Sequence, residues 1–137
     1  MTEIKRAIEI AAPQDRVWDC VHPRNWTKVF NFVDKVDGYD GTGNKPHASV
    51  IAGDNDSAIS YNIEVTDLDE KTRIAYRRYG GPLTGKGEIQ LRALQNGTLL
   101  TRTGIYEDNL SEETIDLLSK GMEKDNLKIK RIAEEKS

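Results

Sequence analysis

The amino-acid sequence predicts an α+β fold, a curved antiparallel sheet covered on one face by a long C-terminal helix. Three observations predict it. Residues 33 to 107 form short alternating segments cut by turn residues, a single amphipathic helix ends the chain, and the opening strand runs directly into two short helices. At 137 residues the chain suits one domain, 1–137, long enough for a core but not for two independent ones.

Ile4, Ile8 and Ile10 alternate with charged Lys5 and Glu9, Arg6 being the exception, so residues 3–11 read as a half-buried strand. Pro13 falls in the first turn of a helix, with Asp15 placed to favour its dipole and Val17, Trp18 and Val21 as its apolar face. That helix ends near His22-Pro23, because proline disfavours helical geometry in the residue before it. A second short helix, 24–32, carries Trp26, Val29 and Phe30, and Val33 continues the spacing.

Turn sequences then divide the middle of the chain: "DGYDGTGNKP", "GDND", "LDEK", "GGP" and "QNG". Between them lie strands near 34–40, 46–52, 57–67, 72–79, 84–93 and 98–107, joined closely enough to form an antiparallel meander. The clearest is 57–67, where Ile59, Tyr61, Ile63 and Val65 alternate with polar residues. The last helix, 111–135, has Ser111 as N-cap, Glu112 and Glu113 in its first turn, and a stripe of Ile115, Leu118, Met122, Ile129 and Ile132. With the opening strand the sheet has seven strands. A sheet that wide curls when one face is covered, and a helix of about 25 residues is long enough to lie across its concave side.

Composition narrows the function classes. Hydrophobic residues at 36% and charged residues at 31% are compatible with a folded chain, and the net charge is −3. The one dense basic run, "KIKR" at 128–131, reads as a solvated helix face, so nucleic-acid binding is not expected. The single Cys20 forms no internal disulfide, the N-terminus lacks a signal peptide's apolar stretch, and no segment is apolar enough to span a bilayer. A cytoplasmic location follows as the expectation.

The run Ile8, Ile10, Ala12, Pro13, Val17 and Trp18, followed by Trp26, resembles the opening of the START/Bet v 1-like (SRPBCC) superfamily, including its polyketide cyclase/dehydrase group. The element order is similar to that superfamily's helix-grip fold along essentially the whole chain. The resemblance explains the abrupt strand-to-helix joint at Pro13: two small helices must plug one end of the grip. Trp18 would anchor that plug, its burial contributing on the order of 2–3 kcal/mol. Where the cyclase group often carries an aspartate after the first helix, this chain reads "VHPRNW", and no role carries over to that position.

The resemblance implies an apolar cavity between the long helix and the sheet for a lipid, a polyketide-like aromatic or another hydrophobic molecule. Its candidate ligand-binding residues are Trp26 and Phe30 from the plug and Leu118 and Met122 from the last helix. Strand parity adds Tyr61, Tyr76 with Arg78, and Thr101 with Thr103, although the opposite set on that strand (Leu100, Arg102, Gly104, Tyr106) would replace the threonines with Arg102. Asp125 completes the candidates, because it lies on the apolar stripe of the last helix. It either enters the cavity, with Arg78 as a possible partner, or sits at the rim in water if the helix rolls; the second reading is preferred.

Cys20 and His22 are too few for a metal site, and His47 reads as a surface or satisfied histidine. "GTG" at 41–43 lacks the third glycine of a dinucleotide loop, and Gly85 and Gly87 read as permitting curling or close helix approach. No cofactor is expected and no catalytic residue is assigned, since no Ser-His-Asp or Cys-His set is evident. The leading function is therefore a binding or carrier protein for a hydrophobic small molecule. Behind it stand a cyclase/dehydratase-type enzyme using Tyr61, Tyr76, Arg78 and Asp125, and then a module that binds a protein partner.

Overall fold

Alternating apolar and polar residues pair into a single antiparallel sheet in the computed structural model, which describes residues 1–30, 33–37, 47–52, 59–81 and 83–135. Its strands are β1 (Thr2–Ile10), β2 (Val33–Asp37), β3 (His47–Ala52), β4 (Ile59–Asp69), β5 (Arg73–Tyr79), β6 (Gly85–Leu94) and β7 (Gly97–Tyr106), in the order β1-β7-β6-β5-β4-β3-β2. Side chains are described on five of them, β1 and β4 to β7. Strands β2 to β7 pair in sequence order as a meander, and Gln95-Asn96 makes a two-residue turn with Leu94 opposite Gly97. β1 returns to the edge of β7, Ile4 opposite Gly104 and Ile10 opposite Thr98.

Because β1 ends at that edge, the chain turns at once to cover the face on which the C-terminal helix also packs. Pro13 serves as the N-cap residue of α1 (Gln14–Val21), its carbonyl accepting from the amides of Arg16 (3.0 Å) and Val17 (3.2 Å). Val17, Trp18 and Val21 are buried, as their spacing requires. A 3-10 turn, Pro23–Asn25, then leads into α2 (Trp26–Val29). The second helix is thus shorter than its periodicity indicates. Phe30 already has extended geometry, and Val33 pairs with Val50 of β3, so strand pairing overrides the helical spacing at Val33. Residues 38–46 and 53–58, including "GTG", lie outside the described residues.

His22 closes α1. Its backbone amide donates to the Trp18 carbonyl (2.9 Å), and its Nδ1 accepts from the amide of Arg24 (3.3 Å), which requires an unprotonated Nδ1. Burial, followed by the Arg24 charge, holds the imidazole below its ordinary value of 6.5, against weaker opposing effects of Asp19 and Glu70. The neutral form is therefore favoured in the folded state. The stabilisation is complete above pH 6.5 and is lost as pH falls through the lower folded-state value. Urea midpoints measured from pH 7.5 to 5 should fall, and His22→Gln should flatten the drop; an equal drop in both proteins would remove His22 as its source.

α3 (Glu112–Glu135) starts where the sequence places it. Ser111 Oγ accepts from the amide of Thr114 (3.2 Å) as N-cap. Polar contacts fasten one flank of the helix to β1 and its exit: Arg6 to Glu123 (3.3 Å), Lys130 Nζ to the Glu9 carbonyl (3.4 Å), and the Ala11 amide to Glu134 (2.9 Å). The buried face of α3 splits between two apolar clusters. Ile129 and Ala133 join Trp18, Trp26, Phe30 and Tyr76 at the plugged end, whereas Leu118 and Met122 join Ile4, Leu83 and Tyr106 at the other.

Candidate functional site

Strand parity decides what faces α3. On β7 the buried set is Thr98, Leu100, Gly104 and Tyr106, with Arg102 between them on the same face. Thr101 and Thr103 therefore stand on the outer face, which corrects their place among the lining residues. They border open grooves there: Thr103 beside Arg73, Arg77 and Lys86 in a groove of about 390 Å³, and Thr101 beside Gln90 and Leu99. The residues 98–107 carry apolar side chains at both parities, and only pairing on both sides, Arg102 with Arg6 of β1 and Ile89 of β6, fixes the choice.

Asp125 does not reach water. It is 3% exposed, and its carboxylate accepts from Nη1 of Arg102 at 3.4 Å, so the rim placement is corrected and the partner is Arg102 in place of Arg78. The roll of the helix is set by its buried face, Leu118, Met122, Ile129 and Ala133, with the contacts of Glu123, Lys130 and Glu134 along its β1 flank. Arg6 and Arg102 are cross-strand neighbours on one face, an unfavourable pairing of like charges. Glu123 and Asp125 of α3 answer one each. The Arg6 pair is well solvated and adds little, whereas Arg102 and Asp125 have side chains only 12% and 5% exposed. The Arg102 guanidinium also lies over the Phe30 ring, 4.6 Å from its centre.

Arg78 occupies the seam between the two apolar clusters. It is 5% exposed, with its guanidinium 4.1 Å from the centre of the Tyr106 ring and 5.7 Å from that of Tyr76. Nη2 donates to the carbonyls of Lys86 (2.5 Å) and Ile105 (3.1 Å). Burial raises the Tyr106 hydroxyl above its ordinary 10.0, outweighing Arg78's opposing charge, so it stays protonated at neutral pH.

Glycines make this seam possible. Tyr76 lies opposite Gly87, Arg78 opposite Gly85, and Gly87 opposite Gly104, so no side chain competes with the two tyrosines and the arginine. A Cβ on Gly87 would come within 2.2 Å of the Tyr76 ring. Gly87 thus admits the close approach of a ring from the neighbouring strand; a helix approach is not what it serves. Gly87→Ala should lower stability by about 1–3 kcal/mol, read as a lower urea midpoint; an unchanged midpoint would mean that the ring moves without cost.

Four buried polar atoms lack a hydrogen-bond partner among the described residues: Nε of Arg78, Nε of Arg102, Oγ of Ser119 and Oδ1 of Asn126. Ser119 and Asn126 share a helical stripe with Glu123 and Lys130, hence the flank of α3 that meets β1. Neither was picked out from the sequence, although their seven-residue spacing beside Met122 and Ile129 was available as a signal. Trp26, Phe30, Tyr76, Leu118 and Met122 are all buried, but in two clusters, so they do not line one continuous wall. Tyr61 is placed on β4 opposite Val50, and its side chain lies outside the described residues.

The family model described as "Polyketide cyclase / dehydrase and lipid transport" matches residues 1–134. No curated protein matches the chain. Among solved structures, the chain is similar to TTHA0849 from Thermus thermophilus (TM-score 0.80, 15% identity, 99% of each chain covered). It is similar to the Zhui aromatase/cyclase from Streptomyces sp. R1128 (0.74, 17%, 98% of this chain and 94% of that one). It also resembles Ara h 8.0201 (0.73, 14%, 98% of each). At such identities these likenesses establish the fold: α+β, with an antiparallel sheet and a long C-terminal helix.

Proposed function

We propose, from the premise that the chain belongs to the polyketide cyclase / dehydrase and lipid transport family, that it binds or carries a hydrophobic small molecule between the sheet and α3. The observation that carries this reading is the set of buried polar atoms without partners among the described residues, inside a largely apolar interior. Buried polar groups are normally satisfied, and a few polar groups in an apolar surround are what orients a small ligand. No helix among the described residues is long and apolar enough to cross a membrane.

Binding ranks above a cyclase or dehydratase reaction for a reason in the same residues. Proton transfer needs a group ready to take or give a proton near neutrality. Asp125 is already engaged by Arg102, and Tyr106 keeps its proton. A protein-interaction role has less support, since the exposed apolar residues of α3, Leu117 and Leu127, stand singly and roughly 15 Å apart along the helix.

Native mass spectrometry of the purified protein, compared with the denatured chain, tests the proposal. A hydrophobic molecule should accompany the native protein and be released on denaturation. A clean chain mass, with no uptake from a panel of fatty acids, flavonoids and polyketides, would overturn it.

A further inference from the structure

The interior is not only apolar but charged, and unevenly so. Among the described residues the interior holds two guanidiniums, buried Arg78 and nearly buried Arg102, and one buried carboxylate, Asp125. Arg102 and Asp125 neutralise each other. Arg78 does not share in that pair: its contacts are two backbone carbonyls and two tyrosine faces, which orient the guanidinium without cancelling its charge. Its Nε–H has no acceptor among the described residues. A buried cation normally comes with an anion, because desolvating it alone is costly.

We infer that the interior takes amphiphiles carrying a single negative charge, a carboxylate or a comparable oxyanion, with Arg78 as the counter-ion. The inference rests on the small-molecule binding proposed above and adds the ligand's charge. Arg78 suits the task geometrically. The carbonyls of Lys86 and Ile105 and the rings of Tyr76 and Tyr106 fix the guanidinium plane before any ligand arrives, so little side-chain entropy remains to be lost on binding. The site also lies where the two apolar clusters meet, so a head group at Arg78 would leave an apolar tail in contact with either one.

The test is a head-group series on one tail: dodecanoate, dodecanol and dodecylammonium, titrated calorimetrically into the unaltered protein at pH 7.5. Dodecanoate should bind about tenfold or more tightly than dodecanol, with dodecylammonium weakest, as a charge-assisted hydrogen bond implies. Arg78→Met should bring acid and alcohol to similar affinity. The ranking in the unaltered protein decides the question even if that variant folds poorly. Equal binding of acid and alcohol, or preference for the ammonium, would overturn the anion inference while leaving the small-molecule reading standing. Failure of all three to bind would overturn the binding reading for such amphiphiles, and this inference with it.

Discussion

Asp125→Ala is expected to destabilise the fold by about 3–5 kcal/mol, measured by urea denaturation, because it strands the Arg102 guanidinium in the interior. That cost is the penalty of an unanswered buried charge and is not the strength of the pair. The distance of 3.4 Å and the position of Arg102 over Phe30 describe a pair held by its surroundings as much as by mutual attraction. The double variant Asp125→Leu with Arg102→Met should therefore recover most of the loss, since replacing a buried ion pair by apolar residues of similar volume is often neutral or stabilising. Arg102→Met alone should fall between, leaving a carboxylate behind. A loss below about 1 kcal/mol for Asp125→Ala would show that water reaches the pair and that it behaves as a surface salt bridge.

The same pair shows where sequence reasoning was sufficient and where it stopped. Strand and helix order were legible because period-2 alternation, turn residues and the Ser111 cap are local signals, and among the described residues the alternating strands, the turn at Gln95-Asn96 and the cap all reappear. Tyr76 and Arg78 were placed together on one face by parity alone, and both are buried. Parity failed on β7, where apolar residues occupy both faces and a slip of one residue exchanges Thr101 and Thr103 for Arg102. Asp125 stood out on its stripe, but its burial depends on how far α3 can roll. That is settled by the packing of Leu118, Met122, Ile129 and Ala133 into the two apolar clusters, whose other members include Ile4 and Ile10 of β1, more than a hundred residues away in sequence. Gly87 was read as permitting curling or close helix approach, when what fills the space is a ring from the next strand. Long-range partners of this kind leave no periodic trace.

Trp26→Ala should rank with Asp125→Ala in cost, about 3–5 kcal/mol, as is usual when a large buried aromatic is truncated. Trp26 is 2% exposed and does two separate things. Its indole Nε1 donates to the Val21 carbonyl at 2.7 Å, satisfying an acceptor at the C-terminal end of α1, and its ring packs edge-on against Phe30 and Tyr76, with centres 6.0 Å apart in each case. Trp26→Phe separates the two contributions. It keeps much of the ring packing and gives up the hydrogen bond, so a loss of about 1–3 kcal/mol would assign the smaller share to the unsatisfied carbonyl. The packing continues through Tyr76 to Gly87, whose missing side chain lets the ring lie down. Trp26→Ala and Gly87→Ala both act on that ring, the first by removing its neighbour and the second by displacing it toward the vacated space. Their combined cost should therefore fall short of the sum by about 0.5 kcal/mol or more, as expected for residues that share a contact. Strict additivity would mean that the Tyr76 ring does not move when Gly87 gains a methyl group, and the steric account of the glycine seam would have to be given up.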